Sequence, residues 1–217
     1  MLPDLRDACA QAVAELVQAG PELIVVAGAA AETAEWDPDC RLGLSSYAPS
    51  LGPDGPGGQP GPGGRPGLPL ALGLGALLLD QAGYTGRRAL QAVGADEPAA
   101  ACTALGARLA GQPGTALLAM GDGSARRSTS APGYLDERAV PFDAAVEQAV
   151  RDGDLAGLAG LDPGLARDLM ATGRATWQVL AGALGPSRPS TEVLYADAPF
   201  GVAYLVAVFT PSPGTSS

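Results

Sequence analysis

The sequence predicts an α/β fold of three layers, a mostly parallel or mixed central sheet with helices on both faces. Three observations lead there. Segments with apolar residues at helical spacing alternate with short, continuous apolar runs over the first 120 positions. Two of those runs, Leu23–Ala27 and Thr115–Met120, have the length and character of strands buried on both faces. Each ends in a glycine, Gly28 or Gly121, and in an open α/β sheet the loop leaving the carboxyl end of a strand is where ligands sit.

Taken in order, Leu5, Ala8, Cys9, Ala12, Val13, Leu16 and Val17 fall at helical spacing over residues 3–19, and Gly20-Pro21 stops that helix. The strand Leu23–Ala27 follows. A parallel sheet of this kind more often opens with a strand, so the expectation is a sheet lacking its first strand. From Ala29 to Pro69 little regular structure is predicted. Residues 48–69 are so rich in Gly and Pro that they read as a disordered insertion. Leu70–Ala82 is an apolar helix whose Gly73 and Gly75 allow close packing on the sheet. Ala89–Val93 is a short strand and Pro98–Ala110 a helix of small residues.

Beyond the central run, Phe142–Val150 is helical, and Leu155, Leu158 and Leu161 continue in short helical pieces. Asp162-Pro163 starts another helix, with Asp as cap and Pro in the first turn. Thr172–Leu184 is the last helix. Glu192–Tyr195 and Val202–Phe209 are strands joined across Phe200-Gly201, predicted as an antiparallel pair at the sheet edge. The whole is expected to be one domain over residues 1–209 with a frayed tail at 210–217.

A formal net charge of −10, with every basic residue an arginine, excludes nucleic acid and anionic membrane as partners, because both demand positive surface. The longest apolar runs are too short to span a bilayer, and no leader-like apolar stretch opens the chain. Cys9, Cys40 and Cys102 are odd in number and widely spaced. They read as reduced thiols of a cytoplasmic protein and offer no zinc framework.

The candidate site is the stretch from Thr115 to Tyr134. Gly121, Asp122, Gly123 and Ser124 form a glycine-rich turn followed by Arg126 and Arg127. Backbone N–H groups and guanidinium forks together make a pocket for a carboxylate or phosphate. The competing reading pairs these arginines with Asp136, Glu137 or Asp143, pinning the loop. Asp122, Asp136 and Asp143 could offer oxygen ligands to Mg²⁺ or Ca²⁺, yet such spacing is ordinary on solvated loops and helix caps, and no metal site is expected. Ser124 has no histidine or lysine to serve as its base, which argues against a hydrolase. Trp177 and Tyr195 read first as packing residues and second as a stacking surface.

The segments MGDGSARRS, APGYLD, PFDAAVEQAVRDGD, LDPGLARDL, GRATWQVLAGAL and APFGVAYLVAVF resemble the LigB-like class III extradiol dioxygenase superfamily. The closer resemblance is to an uncharacterised actinobacterial branch of that superfamily. It is strongest from Leu117 to Phe209 and extends back through PLALGLGALLLDQAGYTG to LIVVAG. The resemblance implies a non-haem Fe(II) site built from two histidines and a carboxylate, with a further histidine as acid/base in ring opening of a catechol. The chain contains no histidine. Ala29, Ala30, Ala31, Glu32 and Thr33 stand where one ligand histidine is implied, and Ala125 stands where the acid/base is implied. Thr172, Gly173 and Arg174 occupy the place of the carboxylate.

Two functional classes follow. The first is a degenerate member without the iron site and without a cofactor, binding a small anionic ligand or a protein partner, with a homodimer or partner subunit among the expectations. The second is an Fe(II) extradiol dioxygenase whose histidines come from a missing N-terminal segment or a partner chain.

Overall fold

The computed structural model describes residues 2–40, 67–186 and 188–211. Most of the predicted Gly/Pro insertion at 48–69, and the predicted tail from residue 212, lie outside the described residues.

The first half alternates helix and strand. It contains α1 (Pro3–Gln18), β1 (Leu23–Ala30), β2 (Ala34–Trp36), α2 (Leu70–Gln81), β3 (Arg87–Gly94), α3 (Ala99–Ala110) and β4 (Thr115–Met120). β1 is central. It pairs in parallel with β3 on one side, Leu23 opposite Arg87, and with β4 on the other, Leu23 opposite Thr115. β2 adds antiparallel to the outer edge of β3, giving the order β2-β3-β1-β4 and a mixed sheet. This is the α/β architecture the sequence predicts, but β2 falls in a segment read as irregular. Three residues are too few to display a strand's alternation, and Trp36 secures this one by packing on the sheet core beside Leu90.

Alternating residues divide the sheet's apolar contacts between two helical layers. Ile24, Val26, Leu90 and Ala92 pack with Val13 of α1 and with Leu72 and Leu79 of α2. Gly75 makes that contact close: a Cβ there would lie 2.5 Å from Val26 Cγ1. Leu68, assigned by composition to the disordered insertion, is instead 2% exposed in the same cluster. On the opposite face, Ala27 and Val93 meet Cys102 and Leu105 of α3 together with two residues of a later helix, Ala175 and Val179.

The second half comprises α4 (Ala139–Asp152), α5 (Leu155–Ala159), α6 (Pro163–Asp168), α7 (Arg174–Leu184), β5 (Ser190–Asp197) and β6 (Tyr204–Thr210). Asp154 and Asp162 cap α5 and α6, their carboxylates accepting from Gly157 N and Leu165 N. β5 and β6 pair antiparallel, as predicted, and Thr210 belongs to the strand rather than to a frayed tail. They do not join the edge of the main sheet; they form a sheet of their own. The physical reason lies in what they pack on. Val193, Leu205, Ala207 and Phe209 turn toward a cluster built from Phe142, Val146 and Val150 of α4, Leu158 of α5 and Leu169 just after α6, while α1 lies against both strands.

No helix among the described residues is long and apolar enough to cross a membrane.

Candidate functional site

The loop leaving β4 is held at three points. Gly121 and Asp122 are tied to the start of α7, with Gly173 N donating to Asp122 O at 2.8 Å and Asp122 N donating to Thr172 Oγ1 at 3.3 Å. Gly123 and Ser124 are tied to the residue before β6, Gly123 N donating to Ala203 O and Ala203 N donating to Ser124 O. Further along, Ala125 N donates to Leu169 O and Arg127 N to Gly201 O. Neither Gly121 nor Gly123 has a positive φ, so their use is not the unusual backbone angle the sequence suggests. It is close approach. A Cβ at Gly121 would overlap Gly173 Cα, and one at Gly123 would lie 2.7 Å from Ala203 Cβ.

These bonds bear directly on an anion pocket. The amides of Gly123, Ser124, Ala125 and Arg127 all donate within the chain, so the turn does not present them as an anion cradle. Ser124 is wholly buried and gives both donors to Asp143, N to Oδ1 at 2.9 Å and Oγ to Oδ2 at 2.5 Å. Burial pushes the Asp143 carboxyl above its ordinary value, against the opposing pull of the Ser124 hydrogen bonds and Arg127.

The two arginines part company. Arg126 is a clamp: its Nε donates to Gly133 O at 2.7 Å, its Nη1 to Asp168 O at 3.0 Å, and Nη1 also lies 3.7 Å from Asp136. Asp136 itself is bonded by Arg138, which holds its carboxyl down at about 2. Arg127 is one-third exposed and approaches Asp143 only to 3.9 Å, and its guanidinium makes no hydrogen bond among the described residues. It lines a cavity of about 160 Å³ between the loop, α4, α7 and the β5–β6 hairpin, with Trp177, Tyr204 and Leu205 among the walls.

Three carboxylates also border this cavity, and each has a partner besides Arg127. Asp143 holds Ser124, Glu147 takes both Nε and Nη2 of Arg151, and Asp197 accepts from Ala198 N. Both arginines thus make ion pairs of the kind the competing reading expects, Arg126 with Asp136 and Arg127 with Asp143, and Arg127 is the cationic side chain of the cavity wall, with no hydrogen bond to its guanidinium among the described residues. Of the six candidate residues, Gly123 and Arg127 line it, Ser124 adjoins it through Asp143, and Gly121, Asp122 and Arg126 support the loop. The sequence did not point to Glu147, Asp197 or Tyr204. Their only signal was position on an amphipathic helix or a strand, which many surface residues share.

Iron fits poorly. No group of three His, Cys, Asp or Glu side chains among the described residues could hold a metal ion. Ala125, in the implied acid/base position, is buried. Arg174, among the residues in the implied carboxylate position, is 1% exposed. Its Nη1 donates to Glu97 O at 2.6 Å and to Gln178 Oε1 at 2.8 Å, and its Nη2 donates to Ala95 O. A fixed, buried guanidinium at that point repels a divalent cation rather than binding it.

No protein-family model matches this chain, and no curated protein matches it.

Proposed function

We propose that this chain is a non-catalytic, LigB-like binding protein of the cytoplasm whose small anionic ligand is held by Arg127. One observation carries the reading: Arg127 is the cationic side chain of the cavity lining, one-third exposed, paired with Asp143 only at 3.9 Å, and with no hydrogen bond to its guanidinium among the described residues. A guanidinium presents a planar fork matched to carboxylate or phosphate, and its bonds to an anion are stronger than bonds between neutral groups. A cavity of this size has room for a benzene-sized molecule, which is enough for a small carboxylate or a phosphate group. The lack of histidine removes both the iron ligands and the proton shuttle that ring cleavage requires.

The test separates the two arginines. Thermal unfolding is followed across a panel of phosphate, acetate, propionate and succinate for the wild type, Arg127→Ala and Arg126→Ala. At least one anion raises the wild-type midpoint, and Arg127→Ala loses that rise while keeping its unliganded midpoint within about 2 °C. Arg126→Ala starts from a lower midpoint, because a clamp on Gly133 and Asp168 is gone, yet it retains the rise. Equal anion shifts in wild type and Arg127→Ala would remove the site. Oxygen uptake with added Fe(II) and catechol above a protein-free control would refute the non-catalytic assignment.

A further inference from the structure

The lining of the cavity beside Arg127 holds charge of both signs. Asp143 and Glu147 stand four residues apart on α4, which puts them on one face of the helix, a turn apart. Arg127 lies at the Asp143 end, 3.9 Å away, and Asp143 gives both of its carboxylate oxygens to Ser124. Glu147 receives Arg151 on Oε1, and Asp197, exposed at the end of β5, accepts from Ala198 N through Oδ1. Glu147 Oε2 and Asp197 Oδ2 accept no hydrogen bond among the described residues. The lining therefore offers one open guanidinium and two open carboxylate oxygens.

The surroundings add to the negative side. Burial raises the Tyr204 phenol above its ordinary value, and the charge of Asp122 adds to that rise, so a further carboxylate acts on this wall. Trp177 joins Tyr204 in the lining, and aromatic rings attract cations. The chain as a whole carries a formal charge of −10, which opposes the approach of a free anion.

A ligand that is only an anion meets Arg127 but also the carboxylates. One that is only a cation meets the carboxylates but also Arg127. We propose that the cavity binds a small amino acid as its zwitterion, with the carboxylate on Arg127 and the ammonium on Glu147 and Asp197. This rests on Arg127 being the anion site and names the class of molecule that brings the anion. The ammonium has three donors for the two open oxygens, and the carboxylate matches the guanidinium fork. A space of about 160 Å³ has room for a benzene-sized molecule, and the smallest amino acids are of that size.

Titration calorimetry at neutral pH compares alanine, β-alanine and γ-aminobutyrate with propionate and butyrate, which lack the amine. At least one amino acid binds about ten- to a hundredfold more tightly than the simple carboxylate of the same chain length. Arg127→Ala loses both kinds of ligand. Glu147→Gln combined with Asp197→Asn alters two side chains that are at least partly exposed, so the fold is kept. In that double variant the amino acid loses its advantage, while propionate binds more tightly than to the wild type because repulsion is gone. A purely structural role for the two acids would weaken both ligands together. Survival of the amino acid's advantage in the double variant overturns the proposal. If propionate and butyrate bind through Arg127 as tightly as the amino acids, the zwitterion class falls and the anion site stands. If no carboxylate of either kind binds, both fall.

Discussion

Asp143 gives both of its carboxylate oxygens to one residue, Ser124, and is 8% exposed. Burial raises its pKa more than its partners lower it, which fixes the sign of its effect on stability. Its favourable contribution is complete below the unfolded value of about 4 and is lost as pH rises through the raised folded value. Asp143→Asn keeps an acceptor for Ser124 N and gains a donor for Ser124 Oγ. The variant should therefore lack the wild type's decline in urea midpoint as pH rises above about 4, and a decline of equal size would show that the decline does not come from Asp143. Asp136 has the opposite sign. Held at about 2 by Arg138, it contributes above its unfolded value and loses that contribution only in stronger acid, outside this range. Single residues were the least legible part of the sequence. Arg126 and Arg127 look interchangeable as text, yet on an irregular loop neighbouring side chains diverge, one into a clamp and one toward a cavity. Arg174 gave no sign that its charge would be buried, because a buried guanidinium depends on carbonyls at Ala95 and Glu97, distant in the chain.

At the scale of elements the sequence was most informative where apolar runs were long. The strands Leu23–Ala27 and Thr115–Met120 and the helix start at Asp162 are where pattern and composition put them. What the pattern could not convey is how tightly α3 and α7 cross. A Cβ at Gly106 would overlap the carbonyl oxygen of Val179, and a Cβ at Gly182 would overlap that of Thr103. The obstacle in both cases is backbone, which cannot rotate away as a side chain can. Alanine is favoured over glycine in an isolated helix by about 1 kcal/mol, so the intrinsic preference and the packing oppose each other. Packing should win. Gly106→Ala is expected to destabilise by about 3 kcal/mol, read as a lower urea midpoint with unchanged slope, and Gly182→Ala by a similar amount. Either variant proving as stable as wild type would mean the helices sit further apart. The same crossing brings Ala175 and Val179 onto the sheet, so loosening it also disturbs the Gly121–Gly173 contact that seats the loop.

The molecule as a whole is two sheets sharing one wall. The clusters around β1, β3 and β4 lie on both faces of the main sheet, whereas the cluster of α4, α5 and α6 packs on β5 and β6 and draws no described residue from that sheet. α7 joins both, with Ala175 and Val179 turned to the sheet and Ala181 and Trp177 to the other cluster, and α1 packs on the main sheet through Val13 while lying against β5 and β6. Composition and periodicity identified the layered half. They misplaced the hairpin at the sheet's edge because pairing between strands distant in the chain leaves no local trace. The separation has a measurable consequence. β1 has a ladder on both sides, while the hairpin reaches the loop after β4 through the two bonds at Ala203, its neighbour Gly201 accepting one more from Arg127 N. Native-state hydrogen exchange in rising urea should resolve this. Amides of β1 and β3 should exchange only through global unfolding, with its full denaturant dependence, whereas β5 and β6 should exchange through an opening of lower free energy and smaller slope. Merging of the hairpin amides with those of β1 at every urea concentration would mean that the two sheets open as one cooperative unit.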